Sequence, residues 1–327
     1  MDEYRTFYTT VEGADAALRR DGVAVIPGLL SKSEIERLRA EMFGVLGRVT
    51  AHCSKPITED DPASWRSLHE LYPMHSMLLQ HWQLGQSQPV WDIRQTDSVI
   101  QPFCEIWKTK PADMLVSFDG LSVHFPPELT KCEKTDRERG WFRKGWFHTD
   151  QASTKKGRHC VQGFVNLYDV NRGDATLRVL TGSHNSHEKY FANSGIVCKQ
   201  DWHKVSDQAI ADHFSEHAPA RVLSKEGDLV LWDSRTIHHG SEPLKGRAEP
   251  NTRMAVYVCY TPRRWATKND LKRKREHFAN ARVTSHWPHK PRVFGLKPQT
   301  YGKPLPRVDP LPKPTVGELG RRLAGFD

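Results

Sequence analysis

Between residues 114 and 260 the chain breaks into short apolar runs, most of them stopped by Gly, Pro, Asp or Asn. The runs lie at residues 114–120, 122–125, 145–150, 160–170, 177–180, 221–223, 228–232 and 254–260. Several are rich in Val, Leu and aromatic residues. Many short strands with turn residues between them indicate a β-barrel or β-sandwich. Helical patterns stand ahead of them. Residues 13–20 read as a short helix ending at Asp21-Gly22, followed by a strand over 23–26. Ser31-Lys32-Ser33-Glu34 has the form of a capping box. Ile35, Leu38, Met42, Val45 and Leu46 follow at spacings of three and four, the period of an amphipathic helix. Helical stretches are expected again from Trp65 to Trp82 and from Trp91 to Trp107. A polar, helix-capable insert runs from 184 to 217. The expected class is mainly β with flanking helices.

The chain has 327 residues, 37% hydrophobic and 27% charged, enough for a large core and unlike a disordered chain. No apolar run approaches the roughly 18 residues that span a bilayer, so no membrane partner is expected. The first residues are acidic and lack the apolar stretch of a secretory signal. The six cysteines are scattered, without C-x-x-C or zinc-like spacing. Reduced thiols and a cytoplasmic location are the expectation. The net charge of +9 is uneven: from residue 262 onward sixteen Lys and Arg face five Asp and Glu, so the body is near neutral. Within this tail, residues 268–282 read as a basic helix with Leu271, Arg275 and Phe278 on one face. The proline-rich remainder reads as an arm anchored by Trp287, Phe294 and Tyr301. A single domain over 1–261 is expected, helical to about 112 and β from about 113 to 261, with 262–327 packed on it. The basic tail leaves a protein or nucleic-acid partner open beside a small-molecule substrate.

Trp146-Phe147-His148-Thr149-Asp150 carries the chemistry. Side chains alternate along a strand, so His148 and Asp150 point the same way. An imidazole and a carboxylate on one strand, with a second His from elsewhere, form the facial triad that holds iron(II) and leaves positions open. The second His comes from the segment Gly227 to Ser241, an apolar strand ending in His238 and His239. These two point to opposite faces, so one of them is the ligand. Such an iron enzyme needs a chelating electron donor, commonly 2-oxoglutarate, whose far carboxylate is matched by the fork of an Arg. Arg253 opens the next strand.

These residues carry a resemblance. Gly145 to Asp150, then Gly182-Ser183-His184, then Gly227-Asp228 leading to His238 and a Gly-Ser, then Arg253, resemble the phytanoyl-CoA dioxygenase (PhyH-like) family. Asp21-Gly22-Val23-Ala24-Val25-Ile26-Pro27-Gly28 is similar to the family's opening, so the resemblance runs from about residue 15 to 261. It implies a double-stranded β-helix (jelly-roll, cupin-like) core and iron(II)/2-oxoglutarate oxygenase activity, with ascorbate as a stimulant. It implies His148 and Asp150 as ligands, Arg253 as the 2-oxoglutarate arginine and Ser241 as its helper. Counting from Gly227 without a gap selects His238; the family's usual His-Gly-Ser would select His239. The strand before His238 fixes its register, so His238 is the preferred reading. Gln162 is a further candidate contact for co-substrate or substrate. Residues 117–120, Trp146, Arg178 and Arg235 are candidates for the pocket wall. The carboxylate of Asp150 favours hydroxylation over halogenation. Two other classes stay open: a non-catalytic jelly-roll binding protein working through its basic tail, and a zinc-dependent hydrolase on the same ligands.

Overall fold

The computed structural model of the chain describes residues 3–75, 77–130, 140–300 and 302–327. Cys132, Tyr301 and residues 131–139 of the charged connection lie outside the described residues. In chain order the first strands are β1 (Tyr4–Arg5), β2 (Val23–Ile26), β3 (Leu78–Leu79), β4 (Met114–Val116), β5 (Leu121–His124), β6 (His148–Thr149) and β7 (Val161–Asn166). After them come β8 (Thr176–Leu180), β9 (His203–Lys204), β10 (Pro219–Val222), β11 (Leu229–Asp233), β12 (His238–Ser241) and β13 (Arg253–Pro262). They form two open sheets. One runs β1-β10-β8-β12-β6-β9; the other runs β2-β11-β7-β13-β5-β3, with β4 alongside β13. β1 pairs with β10 in parallel, whereas the central pairings of both sheets are antiparallel.

Alternation gives each strand two faces. Val25, Phe164, Trp232 and Ala255 turn inward from the second sheet and meet Leu177, Val179, Ala220 and Val222 of the first. The opposite face of the second sheet, with Val123, Val165, Leu231 and Val256, packs under the N-terminal helices. These are α1 (Ala14–Asp21), α2 (Lys32–Val49), α3 (Gln88–Arg94) and α4 (Asp97–Trp107). The result is a double-stranded β-helix core with flanking helices. Helix α2 starts where the capping box places it: Ser31 Oγ accepts from Glu34 N, and Glu34 accepts from Ser31 N. Its Ile35, Leu38, Met42 and Leu46 are buried, each contributing about 1.5–3 kcal/mol.

Some elements differ from the sequence expectation. The helix from Trp91 to Trp107 is two helices, because the chain turns at Gln95 and Thr96 caps α4 in an extended conformation. The strand over 145–150 shrinks to β6. Asp150 N is already bonded to Ser234 O, beyond the ladder. In the helix Lys268–Ala279, the fully buried side chain is a charged one, Lys274. Its ammonium donates to Val116 O and lies 3.9 Å from the Phe118 ring centre.

The C-terminal segment lies along the helical layer. Leu311 N, Thr315 N and Gly317 N donate to the side chains of Gln83, Gln88 and Gln95. Trp287 is buried and Phe294 half-buried. Among the described residues, no helix is long and apolar enough to cross a membrane.

Candidate metal centre and co-substrate pocket

The two sheet segments that carry the metal motif meet at one residue pair. His238 of β12 is paired with His148 of β6. A cross-strand pair of this kind sets two imidazoles side by side on one face, and their ring centres are 4.3 Å apart. Asp150 continues the same face two residues after His148. Its Oδ2 lies 3.6 Å from His148 Nε2 and 3.4 Å from His238 Nε2. One ligand atom from each of the three lies within 4.8 Å of the others. All three residues are buried. Two imidazole nitrogens and one carboxylate oxygen converging on one point suit a divalent first-row ion.

The surrounding hydrogen bonds prepare the donors. His238 Nδ1 lies 2.8 Å from Thr236 O, which fixes the proton there and leaves the Nε2 lone pair toward the centre. That lone pair accepts from Trp232 Nε1 at 3.1 Å, the contact an ion would replace. His148 Nδ1 faces Trp146 O at 3.3 Å. Gln162 Nε2 donates to Asp150 Oδ2 at 2.9 Å. Gln162, a candidate co-substrate or substrate contact from sequence, is thus placed against the Asp150 carboxylate. Burial alone would raise the Asp150 pKa. The charges of His148 and His286, with hydrogen bonds from His148 and His238, outweigh it and hold the carboxyl well below the usual range. Burial, followed by the His148 charge, lowers the His238 pKa. The set thus pairs a carboxylate held anionic with a His238 imidazole disposed to be neutral, as metal ligation requires.

Arg253 is also buried and shares the inward face of β13 with Ala255 and Tyr257. Its Nε donates to Ser122 Oγ at 3.0 Å, and one terminal nitrogen reaches Ala175 O at 3.4 Å. The guanidinium stands 4.9 Å from the Phe164 ring centre. Ser122 and Tyr257, absent from the sequence reading, flank it. The parity of β5 and β13 was the signal that could have found them.

Ser241 is not brought to this pocket. Counting from His238, it falls on the other face of β12. There Ser241 Oγ accepts from Arg221 at 2.9 Å and lies 3.2 Å from Thr176 O. His239 is on that outer face too. It packs edge-on against Phe147 with ring centres 4.6 Å apart. A Cβ on Gly145 would stand 2.8 Å from its Nε2, so this packing requires the glycine. Arg178 binds Glu3 and Arg235 binds Asp233, so neither is free for a pocket wall. Phe118 belongs to the core under the helices. Trp146 does reach the centre: its ring is parallel to that of His148, 4.7 Å away, and carries His75 on its other side at 4.0 Å.

Residues 136–248 match the phytanoyl-CoA dioxygenase (PhyH) family. That stretch, about a third of the chain, is similar to the family's domain. The matched span holds His148, Asp150, Gln162 and His238 and ends five residues before Arg253. The Ava biosynthesis cluster protein O of Aspergillus versicolor is 27% identical over 241 residues, 71% of this chain and 73% of the relative. Among solved structures, the hypothetical protein JW0805 from Escherichia coli matches with a TM-score of 0.60 at 15% identity. That match covers 99% of this chain and 86% of the other, and it shows a shared fold. The epimerase SnoN, solved with Fe3+, alpha ketoglutarate and nogalamycin RO, is more remote. Its TM-score is 0.49 at 16% identity, over 77% of this chain and 83% of that one. The match over residues 136–248 and the His-Asp-His constellation both support an enzyme of the iron/2-oxoglutarate-dependent class.

Proposed function

We propose that the protein is a non-haem iron(II)/2-oxoglutarate-dependent dioxygenase that hydroxylates a small molecule and releases succinate and CO2. The observation that carries this reading is the convergence of the buried His148, Asp150 and His238 within 4.8 Å, on the inward face of one sheet while Arg253 lies on the inward face of the other. Held by those three side chains, iron(II) would supply the oxidation, with oxygen and 2-oxoglutarate consumed as a substrate C–H becomes C–OH.

The chain's own residues do the positioning. Asp150 contributes one negative charge, and Gln162 keeps that carboxylate aimed. Thr236 O holds His238 in the ligating tautomer. Arg253, pre-oriented by Ser122 and Tyr257, offers its remaining N–H donors to the far carboxylate of 2-oxoglutarate. Gly240, on the His238 face of β12, leaves the wall open between them; a side chain there would meet Met77 Sδ first. Phe164, Leu177 and Val179 line the inner faces and exclude water. The reading takes 1–261 as one oxygenase domain with 262–327 as an arm packed on it. It takes the protein as cytoplasmic, which suits the buried Cys160 and Cys259, whose sulfurs stand 3.3 Å apart as thiols.

The test is succinate formation from 2-oxoglutarate with iron(II) and ascorbate in air, alongside direct binding of metal and 2-oxoglutarate. Wild type turns over slowly without substrate. His148→Ala loses metal and activity together. Arg253→Ala keeps the metal but weakens 2-oxoglutarate binding by about 100-fold, the usual loss when one partner of a desolvated charge pair is truncated. Wild type that binds neither iron nor 2-oxoglutarate would sink the reading.

A further inference from the structure

Beside the metal centre stands a side chain that the reaction as described does not use. Trp202 is 48% exposed, although it is a large aromatic residue. It is held in place: the next residue opens β9, which pairs with β6 through His148 to Lys204 and Thr149 to His203. His203 Nε2 is bonded to Tyr190 Oη at 2.9 Å. The preceding residue, Asp201, grips Lys155 and the Ala152 backbone just after the metal motif. An indole fixed from both sides and still left in solvent is an unfilled contact surface. Its ring centre is 6.0 Å from that of His148.

The neighbouring surface has the same character. Val197 and Ile196, on the same loop, are 71% and 37% exposed. Cys198 Sγ contacts Trp202 O and closes that loop onto the Trp202 backbone. On the inner side, the parallel stack His75–Trp146–His148 leads to the centre. Four of the cations nearby are matched, Lys155 with Asp201, Lys144 with Asp207, Arg178 with Glu3 and Arg235 with Asp233, whereas the exposed Lys199 and Lys204 that flank Trp202 in sequence have no carboxylate partner among the described residues. A flat apolar ring meets rings.

We propose that the substrate carries a planar, largely apolar ring system, seated on the exposed face of Trp202 with the C–H to be oxidised toward the His148–Asp150–His238 centre. This rests on the dioxygenase reading of that centre. Trp202 is then a specificity-determining residue, not a catalytic one, and Trp146 is part of the wall against which the ring is aligned.

The test uses 2-naphthol as the ring probe and 1-decanol as an open-chain probe of equal carbon number, titrated calorimetrically into full-length protein loaded with iron(II) and 2-oxoglutarate under nitrogen. The expected result is that 2-naphthol binds more tightly than 1-decanol. Trp202→Ala weakens 2-naphthol by about tenfold, the worth of one stacked ring, and leaves 1-decanol within about twofold. Trp202→Phe restores most of the binding. Equal or tighter binding of 1-decanol, or no change in Trp202→Ala, overturns the proposal. Iron and 2-oxoglutarate are titrated first on the same samples. If they bind and 2-naphthol does not, the ring site alone falls. If they fail to bind wild type while 2-naphthol still binds in a Trp202-dependent way, the dioxygenase reading falls and the ring site stands.

Discussion

At the scale of single residues, two adjacent histidines have opposite environments. His238 shares a face with Gly240 and points into the space between the sheets; His239 points out under Phe147. The two therefore separate under mutation. His238→Ala is expected to lower iron(II) affinity by more than ~100-fold, beyond what loss of an outer partner costs. His239→Ala is expected to keep iron binding and to lose about 2 kcal/mol of stability from the space left behind. Iron titration and thermal melting of the two variants check this, and metal loss in His239→Ala with retention in His238→Ala would reverse the assignment. The preference for His238 was legible because an ungapped strand fixes parity. The same parity puts Ser241 on the face away from His238, which the Gly-Ser motif by itself does not reveal. Gln162 sits on the inward face of β7, but nothing local in sequence says that its amide ends on Asp150. That pairing depends on how β7 and the segment after β6 are brought together in space. Trp202 was equally silent, because exposure is a property of the packed molecule.

At the scale of elements, the N-terminal turn and the metal strand are joined. Asp21-Gly22 ends α1 and starts β2, and Gly22 is in the left-handed region at φ 74°. Thr236 Oγ donates to Gly22 O at 2.9 Å, and Thr236 O receives the proton of His238. A Cβ at Gly22 would stand 2.4 Å from Thr236 Oγ and 2.6 Å from His184 Nδ1. Gly22→Ala therefore combines backbone strain of about 1–2 kcal/mol with a push on the residue that sets the His238 tautomer. It is expected to lower both melting temperature and iron affinity, whereas Gly28→Ala, with open space around it, lowers stability by the strain alone. Equal iron affinity in the two variants would contradict the linkage. The elements themselves were largely legible: α1, β2, the capped start of α2 and most strands follow from period and punctuation. The miss at Lys274 has a physical reason. A lysine in a basic run reads as solvated, and only the folded arm shows that its stem crosses the Phe118 ring and its head meets a strand-end carbonyl.

For the whole molecule, buried imidazoles set the acid limit. Burial lowers His239 to about 3 and His187 and His289 to about 4. In the unfolded chain each titrates near 6.5. Below about 6.5 the unfolded state therefore takes up protons that the folded state refuses. Stability is full above that pH and falls as pH drops toward about 4. Asp150, depressed well below the carboxylate range, adds a loss in the same direction at lower pH. Melting temperature is expected to be flat above pH 7 and to decline between about 6.5 and 4; a flat profile across that window would contradict it. A last consequence concerns the seam of the first sheet. β6 is joined to β12 by one residue pair, and β9 hangs on β6 alone. That pair is the two histidines of the centre. An ion bound there would act as a rivet across this single-pair joint. Backbone amides at 148–149 and 203–204 should exchange with solvent quickly when a chelator is present and slowly when metal is supplied, while those of β7 and β13 stay protected in both. Loading the cofactor would then be the last step of folding, and the half-sheet that presents Trp202 would be complete only in a molecule ready to react.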